Sequence, residues 1–427
     1  MKRVWNMLAA GAVLGLGAGQ AVAADRLFVP FLSVSEEYTD NVYDEKDNPA
    51  SDFITRLRPG FTSTYEAARW KWDLAYNLDY RYYARNNHDN ELHHEANLKG
   101  SIVLWQNRFF LDLSDTYKLT PLDISRDSSQ SSLAADQTRQ NIATVNPWLL
   151  WRPGQKSTLK TGYRYVDTRY WDSETTGATY TNAEGIDKKA HVGYADLAYE
   201  LTDKLNLLAG YTFTHQISAD GLDYDKHDAS GGFRYRFAEK SQLYATLGYT
   251  WQDFSNDYRS NYLFWNAGMV QEFGLFVATL EARRQVTEDP LADSTRETSY
   301  SIKLDRPFTR GSIGLLASRT SYDTTVNASG SVADDYRKTI LGVTGKYEIT
   351  QGMVLNAAIS GERFSYDAPT VDDYRYRLLA SLGINWQLLQ DLNLGISYTR
   401  VANQNDLDTT SGGWDTNRVI VELKKTF

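Results

Sequence analysis

The sequence predicts an all-β fold, a transmembrane antiparallel up-and-down β-barrel of about 20 strands (roughly 18–22) around a polar lumen. Three observations lead there. Apolar and polar residues alternate with period two over long segments, which puts one chemistry on each face of a strand. Short turns and longer polar loops alternate along the chain. Aromatic residues make up 13% of the chain, with 29 Tyr and 11 Trp, as the two interfacial girdles of a barrel require. No segment approaches the run of about 18 apolar residues that a membrane-spanning helix needs.

Residues 1–24 read as a cleaved signal peptide. Lys2 and Arg3 form a basic start, Met7 to Leu16 supply an apolar stretch, and Ala21-Val22-Ala23 or Val22-Ala23-Ala24 offers a small-residue cleavage site. Residues 25–427 then read as one barrel domain, because too few residues precede the first strand for a plug or a periplasmic module. The formal charge of −9 becomes −11 on loss of Lys2 and Arg3. That balance, with no basic stripe, speaks against nucleic-acid binding.

The clearest strand runs from Trp70 to Tyr82. Trp70, Trp72, Leu74, Tyr76, Leu78, Tyr80 and Tyr82 fill one face; Lys71, Asp73, Ala75, Asn77, Asp79 and Arg81 fill the other. A helix would scatter both sets around its circumference. The pattern returns from Leu92 to Leu104, at Phe233, Tyr235 and Phe237, from Leu243 to Trp251, and from Tyr374 to Trp386. Val419, Val421, Leu423 and Phe427 share one face of a terminal strand, in the manner of the signal read by the outer-membrane barrel assembly machinery; Lys425 stands where an aromatic is usual.

Punctuation sets the topology. Short turns are expected at 66–69, 106–107, 153–156, 202–204, 238–240, 273–274, 307–311, 350–352 and 389–391. Longer outer loops are expected at 40–51, 83–91, 118–137, 171–187, 217–227, 288–295, 323–335 and 403–413. That alternation is the layout of outer-membrane barrels. A soluble sandwich or propeller would also alternate, but would not carry several Tyr and Trp on each outward face.

The alternation assigns Asp73, Asp79, Arg81, Glu95, Arg164, Arg234, Arg236, Glu281, Arg283, Asp305, Glu362, Arg375 and Arg377 to the lumen. Ion-pair ladders between neighbouring strands are the expected arrangement; segregation on opposite walls, which would set a transverse field, is the alternative. Loop 118–137 is the longest and carries Ser128-Ser129-Gln130-Ser131-Ser132. It reads as an exposed loop, with folding into the lumen as the alternative. The acidic groups Asp44, Glu45, Asp47 and Asp220, Asp223, Asp225 lack a calcium-loop spacing and read as solvated loops.

An enzyme is not expected. The chain has no Cys, which removes thiolate metal sites, Cys nucleophiles and covalent haem attachment. It has no GxSxG, HExxH or P-loop. Of its six His, His93 and His94 point to opposite faces, and only His215 and His227, flanking an Asp-rich loop, faintly suggest catalysis. No metal or cofactor is implied.

The segment Phe31-Leu32-Ser33-Val34-Ser35-Glu36-Glu37-Tyr38-Thr39-Asp40-Asn41-Val42-Tyr43 resembles the first strand of the second β-barrel porin family. The layout of the whole mature chain is similar. The resemblance implies an outer-membrane porin-like barrel in a Gram-negative cell, accompanying an exopolysaccharide system and offering a polymer or other polar carbohydrate a passage. It implies no catalytic residues. Expected partners are outer-membrane lipid and lipopolysaccharide, the barrel assembly machinery and a polysaccharide export complex. A sheath for a periplasmic multihaem cytochrome conduit and a non-conducting structural surface barrel are the alternatives.

Overall fold

The computed structural model describes residues 24–44, 48–122, 137–174, 185–326, 336–366, 374–404 and 413–427. The expected signal peptide, up to Ala23, and the interior of loop 118–137 lie outside these residues.

The first ten strands are β1 (Asp25–Thr39), β2 (Asp52–Glu66), β3 (Trp70–Tyr83), β4 (Glu91–Trp105), β5 (Phe109–Pro121), β6 (Gln137–Gly154), β7 (Ser157–Glu174), β8 (Lys188–Thr202), β9 (Leu205–Ser218) and β10 (Tyr224–Ala238). The second ten are β11 (Ser241–Phe254), β12 (Arg259–Glu272), β13 (Val277–Thr287), β14 (Ser294–Phe308), β15 (Gly311–Val326), β16 (Tyr336–Thr350), β17 (Met353–Tyr366), β18 (Tyr374–Leu389), β19 (Leu392–Gln404) and β20 (Trp414–Thr426).

All 20 belong to one sheet, each paired antiparallel with its sequence neighbours. The sheet closes where β1 meets β20, from Phe31 opposite Thr426 to Thr39 opposite Arg418. Closure pairs the edges of the two terminal strands, which is the condition for a sheet to sit in lipid. The fold is therefore a 20-stranded up-and-down barrel.

The connections at one end span two to four residues and those at the other four to fifteen. In the β4–β5 hairpin Gln106 and Asn107 both have positive φ, 42° and 54°, and the Arg108 amide donates to the Trp105 carbonyl at 2.8 Å. This is the mirror-image turn whose twist matches the flanking strands. Several outer loops are shorter than the sequence suggests. β10 begins at Tyr224, so the expected loop 217–227 shrinks to 219–223, and β7 runs on to Glu174. Cross-strand pairing carries these polar residues into the ladder, where composition alone reads loop.

Each strand keeps the two-face rule. Tyr80 and Tyr82 are exposed on the outer wall, whereas Asp79 and Arg81, which alternate with them, are buried inside. Leu247, Leu263, Ile302 and Leu341 stand out from the wall. Toward the loop end the outer face carries Tyr–His pairs: Tyr76 with His94 at 2.8 Å, Tyr163 with His191 at 2.6 Å, Tyr211 with His227 at 2.8 Å. Such amphipathic rings suit a membrane interface. Val419, Val421 and Leu423 are exposed on the outer face of β20, Phe427 just beyond its end is exposed too, and the Lys425 ammonium reaches Asp391 at 2.6 Å.

One seam differs. β12 pairs with β13 only from Trp265 to Glu272, so Arg259 to Phe264 lie beyond that ladder. The connection from β13 to β14 turns inward instead of prolonging the wall.

The two faces predict opposite tolerances. Leu247→Arg, on the lipid side near the middle of β11, should cost roughly 2–4 kcal/mol. Thr246→Arg, one residue away and facing the lumen, should change stability by no more than about 0.5 kcal/mol. Denaturant unfolding of barrels refolded in phospholipid vesicles checks both; equal costs would contradict the assignment of faces.

Candidate channel lumen

The interior has two levels. In the half nearest the long loops, inward polar side chains are buried and partnered. In the half nearest the short turns they line open space.

In the upper level, Arg56 and Arg81 sit directly opposite each other on β2 and β3, a like-charge pairing that is unfavourable by itself. Asp79 offsets it, meeting Arg56 at 2.5 Å and Arg81 at 3.0 Å. The chain of contacts continues from Arg81 to Glu91 at 3.3 Å. Glu91 also accepts from Tyr83 at 3.2 Å, contacts His88 at 2.8 Å, and lies 3.1 Å from His93. Across the closing seam Asp44 accepts from Thr416 at 2.9 Å and from Arg418 at 3.4 Å. Asp44 is thus a buried wall group and not part of a solvated acidic loop. On β16–β18, Glu362 lies 3.4 Å from Lys338 and 3.7 Å from Arg377.

The connection 288–293 leaves its own hairpin and lies along the inner wall of β7 to β11. Glu288 accepts from Lys188 at 2.8 Å and from Tyr170 at 3.1 Å. Lys188 also donates to the Asp289 carbonyl at 2.7 Å, and the Ile186 amide to the Pro290 carbonyl at 2.8 Å. Gln216 donates to the Asp293 carbonyl at 3.2 Å, and the Leu222 amide to the Asp293 carboxylate at 3.0 Å. A Cβ at Gly221 would fall 1.8 Å from that carboxylate, so any larger residue there displaces the Asp293 side chain. Asp289, Pro290, Ala292 and Asp293 are all buried. The described segment that narrows the mouth is therefore 288–293, part of the expected outer loop 288–295, whose inward fold the sequence did not suggest.

Below it, β5 to β8 carry an aromatic and cationic cluster. Phe110 and Trp148 stack with centroids 4.1 Å apart at 12°. The Lys160 ammonium lies 4.3 Å from the Trp148 ring and 5.6 Å from that of Tyr194. Trp148 Nε1 donates to Asp112 at 2.7 Å, and the Tyr194 hydroxyl donates to Asn146 at 3.0 Å. Tyr194 crosses β7 at Gly162, where a Cβ would meet its hydroxyl at 2.4 Å. Asp196 stands opposite Lys160 in the β7–β8 register, and Arg164 shares the same inward face.

The other sequence-assigned lumen residues fall as follows. Asp73 faces inward opposite Lys99. Glu95 accepts from Asn77 at 3.2 Å. Arg234 and Arg236 share the inward face of β10 with the buried Tyr224. Arg283 pairs with Glu297 at 2.7 Å, and Asp305 with Lys303 at 2.9 Å. Glu281 stands opposite Ser301. Arg375 occupies a β18 position opposite Phe364; its side chain lies outside the described residues. Ion pairs thus join close neighbours along the wall, as a ladder does. His215 and His227 face outward, bonded to Asp225 at 2.7 Å and to Tyr211, and do not enter the lumen. Asp223 caps the Ser218 amide at 2.9 Å.

Sequence reasoning missed Lys188, Glu288, Asp289, Trp148, Lys160 and Tyr194. Pro290 within an acidic run between two strands was the available signal for an unusual loop. The Trp148 cluster had none, since it depends on register.

No family model matches this sequence, and no curated protein matches it. Among solved structures, the chain is similar to the FrpB iron transporter from Neisseria meningitidis, with a TM-score of 0.55 at 10% identity over 94% of this chain and 83% of that one. It is similar also to the siderophore receptor PirA from Pseudomonas aeruginosa, with a TM-score of 0.53 at 10% identity over 94% and 80% of the two chains. The chain shares its β-barrel fold with these outer-membrane proteins. At such identity the likeness is one of fold.

Burial pushes Asp289 and Asp293 above the ordinary carboxylate range, and this outweighs the hydrogen bonds that Thr295, Leu291 and Leu222 donate to them. A raised folded-state pKa favours the protonated, seated loop. Docking is then fully favoured below about pH 3.9, the unperturbed Asp value, and weakens as pH rises through the raised values. Single-channel conductance should accordingly increase over that window. Asp289→Asn with Asp293→Asn should flatten the profile, and Gly221→Val should hold conductance high at every pH. A wild-type conductance independent of pH would refute loop control of the mouth.

Proposed function

We propose that this chain is an outer-membrane channel that passes a polar carbohydrate, most plainly an exopolysaccharide or its fragments. It is exported with loss of residues 1–24 and inserted by the barrel assembly machinery through Val419, Val421, Leu423 and Phe427. The observation that carries the substrate class is the cluster on β5 to β8. Sugars present apolar ring faces and a belt of hydroxyls, often with acidic substituents. Trp148 and Tyr194 supply aromatic surface for the ring faces. Lys160, Arg164, Asp112 and Asp196 supply donors and acceptors for the hydroxyls, and the two cations suit carboxylates. The open lower lumen gives this cluster room, and the 288–293 loop narrows the route above it. A channel needs such contacts to be favourable enough to enter and weak enough to leave. Half-exposed aromatic groups on a rigid wall meet that requirement.

The reading is tested by planar-bilayer recording with and without added oligosaccharide. A neutral hexasaccharide should block the current reversibly. Trp148→Ala with Tyr194→Ala should weaken blockade roughly tenfold, the equivalent of about 1.4 kcal/mol. A conducting barrel indifferent to sugars, or a barrel without conductance, would contradict the proposal.

A further inference from the structure

We infer that the lumen holds a second ring-lined subsite at Tyr244 and Phe264, and that the carbohydrate is bound as an extended chain bridging it to the Tyr194 cluster. The inference rests on the carbohydrate reading above and deepens it from a class of solute to a length and a path.

Two inward rings of β11 and β12 lie along the wall instead of pointing into the lumen. A Cβ at Gly268 would meet the Cζ and hydroxyl of Tyr244 at 2.5 Å, and a Cβ at Gly248 would run into the Phe264 ring. Each ring therefore starts on one strand and ends over the residue directly opposite on the next, Tyr244 against Gly268 and Phe264 against Gly248. Held at both ends, such a ring offers aromatic surface to the lumen without obstructing it. Tyr194 is seated in the same way over Gly162. Among the described residues no ring or cation lies over Tyr244 or Phe264, whereas Phe31, seated across Gly60, is capped by the Lys424 ammonium at 4.5 Å.

Polar groups edge the pair. Arg234 stands opposite Tyr244, Glu281 opposite Gly268, and Asn266 opposite Thr246 and Arg283. Arg234, Asn266 and Glu281 are exposed to the lumen. Aromatic surface bordered by a few donors and acceptors is what a sugar's apolar ring face and hydroxyl belt require.

One row joins the two sites. Lys160, Asp196, Gly210, Ser230, Gly248 and Phe264 are direct cross-strand neighbours from β7 to β12. Between Asp196 and Phe264 this row carries nothing longer than Ser230, so an occupant can lie against the wall. The seat of Tyr194 on β7 and that of Phe264 on β11 are four strands apart, roughly 19 Å along the wall at about 4.8 Å per strand. A disaccharide is too short to touch both; a hexasaccharide is long enough. Two weak ring contacts on one chain reinforce each other, because the second forms at high effective concentration. A polymer is thereby held without a deep pocket.

Current blockade by cellobiose and by cellohexaose is compared in planar bilayers containing the full barrel. In the wild type the half-blocking concentration of cellohexaose should lie at least about tenfold below that of cellobiose. Tyr244→Ala with Phe264→Ala should bring the two concentrations together, moving that of cellobiose by no more than about twofold, since short chains use the sites separately. Tyr194→Ala, at the other end, should remove the same advantage, because bridging needs both ends. Phe31→Leu should leave it intact. Heat-modifiable migration on gels reports whether each variant is folded. Should the alanine pair not fold, Tyr244→Leu with Phe264→Leu, which keeps the glycine seats filled, takes its place. Equal concentrations in the wild type, or an undiminished length advantage in the folded double variant, overturns the bridge. Blockade that depends on Tyr194 but not on chain length removes the bridge and leaves the channel reading standing, whereas no blockade by either sugar overturns both.

Discussion

Everything in this molecule depends on the hydrogen bonds between β1 and β20. In hydrocarbon an unpaired peptide group has no water to turn to, and each one costs several kcal/mol. The run from Phe31 to Thr39 against Thr426 to Arg418 removes the edges that the two terminal strands would otherwise present. Once the ring is shut, period-two alternation ceases to be a statistical pattern and becomes a partition of space. Every side chain belongs either to lipid or to the lumen, and the two sets share no solvent.

That partition explains why the interior is organised by charge and not by an apolar core. A wall that faces inward with Arg, Asp and Glu gains nothing from collapse, so the lumen persists. Where the groups crowd, at the loop end, they neutralise each other in short chains such as Arg56, Asp79, Arg81 and Glu91. Truncating one member of such a chain strands a buried partner, a far larger penalty than the modest net value of the intact pair. The upper wall is therefore stiff. The lower wall, with its exposed charges and half-exposed rings, is free to meet solutes.

Much of this was legible in the residues. Trp70 to Tyr82 declares its faces without help, and the short turns at 202–204, 238–240 and 389–391 fall between the strands that they separate. What composition misjudged were polar strand ends: Asp225 reads as loop, yet pairing holds it in β10 opposite Asp253 and His215. What it could not reach were relationships across the ring. The contact of Glu288 with Lys188 joins residues 100 apart in sequence, and nothing local to either announces it. The Trp148 cluster shares this limit, because a residue's company on a barrel is set by inter-strand register.

The truncated β12–β13 ladder carries a consequence for the energetics of the loop. The backbone that swings inward from Thr287 to Ser294 is the same backbone that would be needed to prolong the wall beside Arg259 to Phe264. Those two uses of one segment exclude each other. Hydrogen bonds forgone in the wall are set against hydrogen bonds made with Tyr170, Lys188 and Gln216 inside it. A barrel is commonly pictured as a rigid hoop with passive loops attached. Here one sector of the hoop and the loop within it are built from one segment of backbone, so the width of the passage is a property of the wall itself.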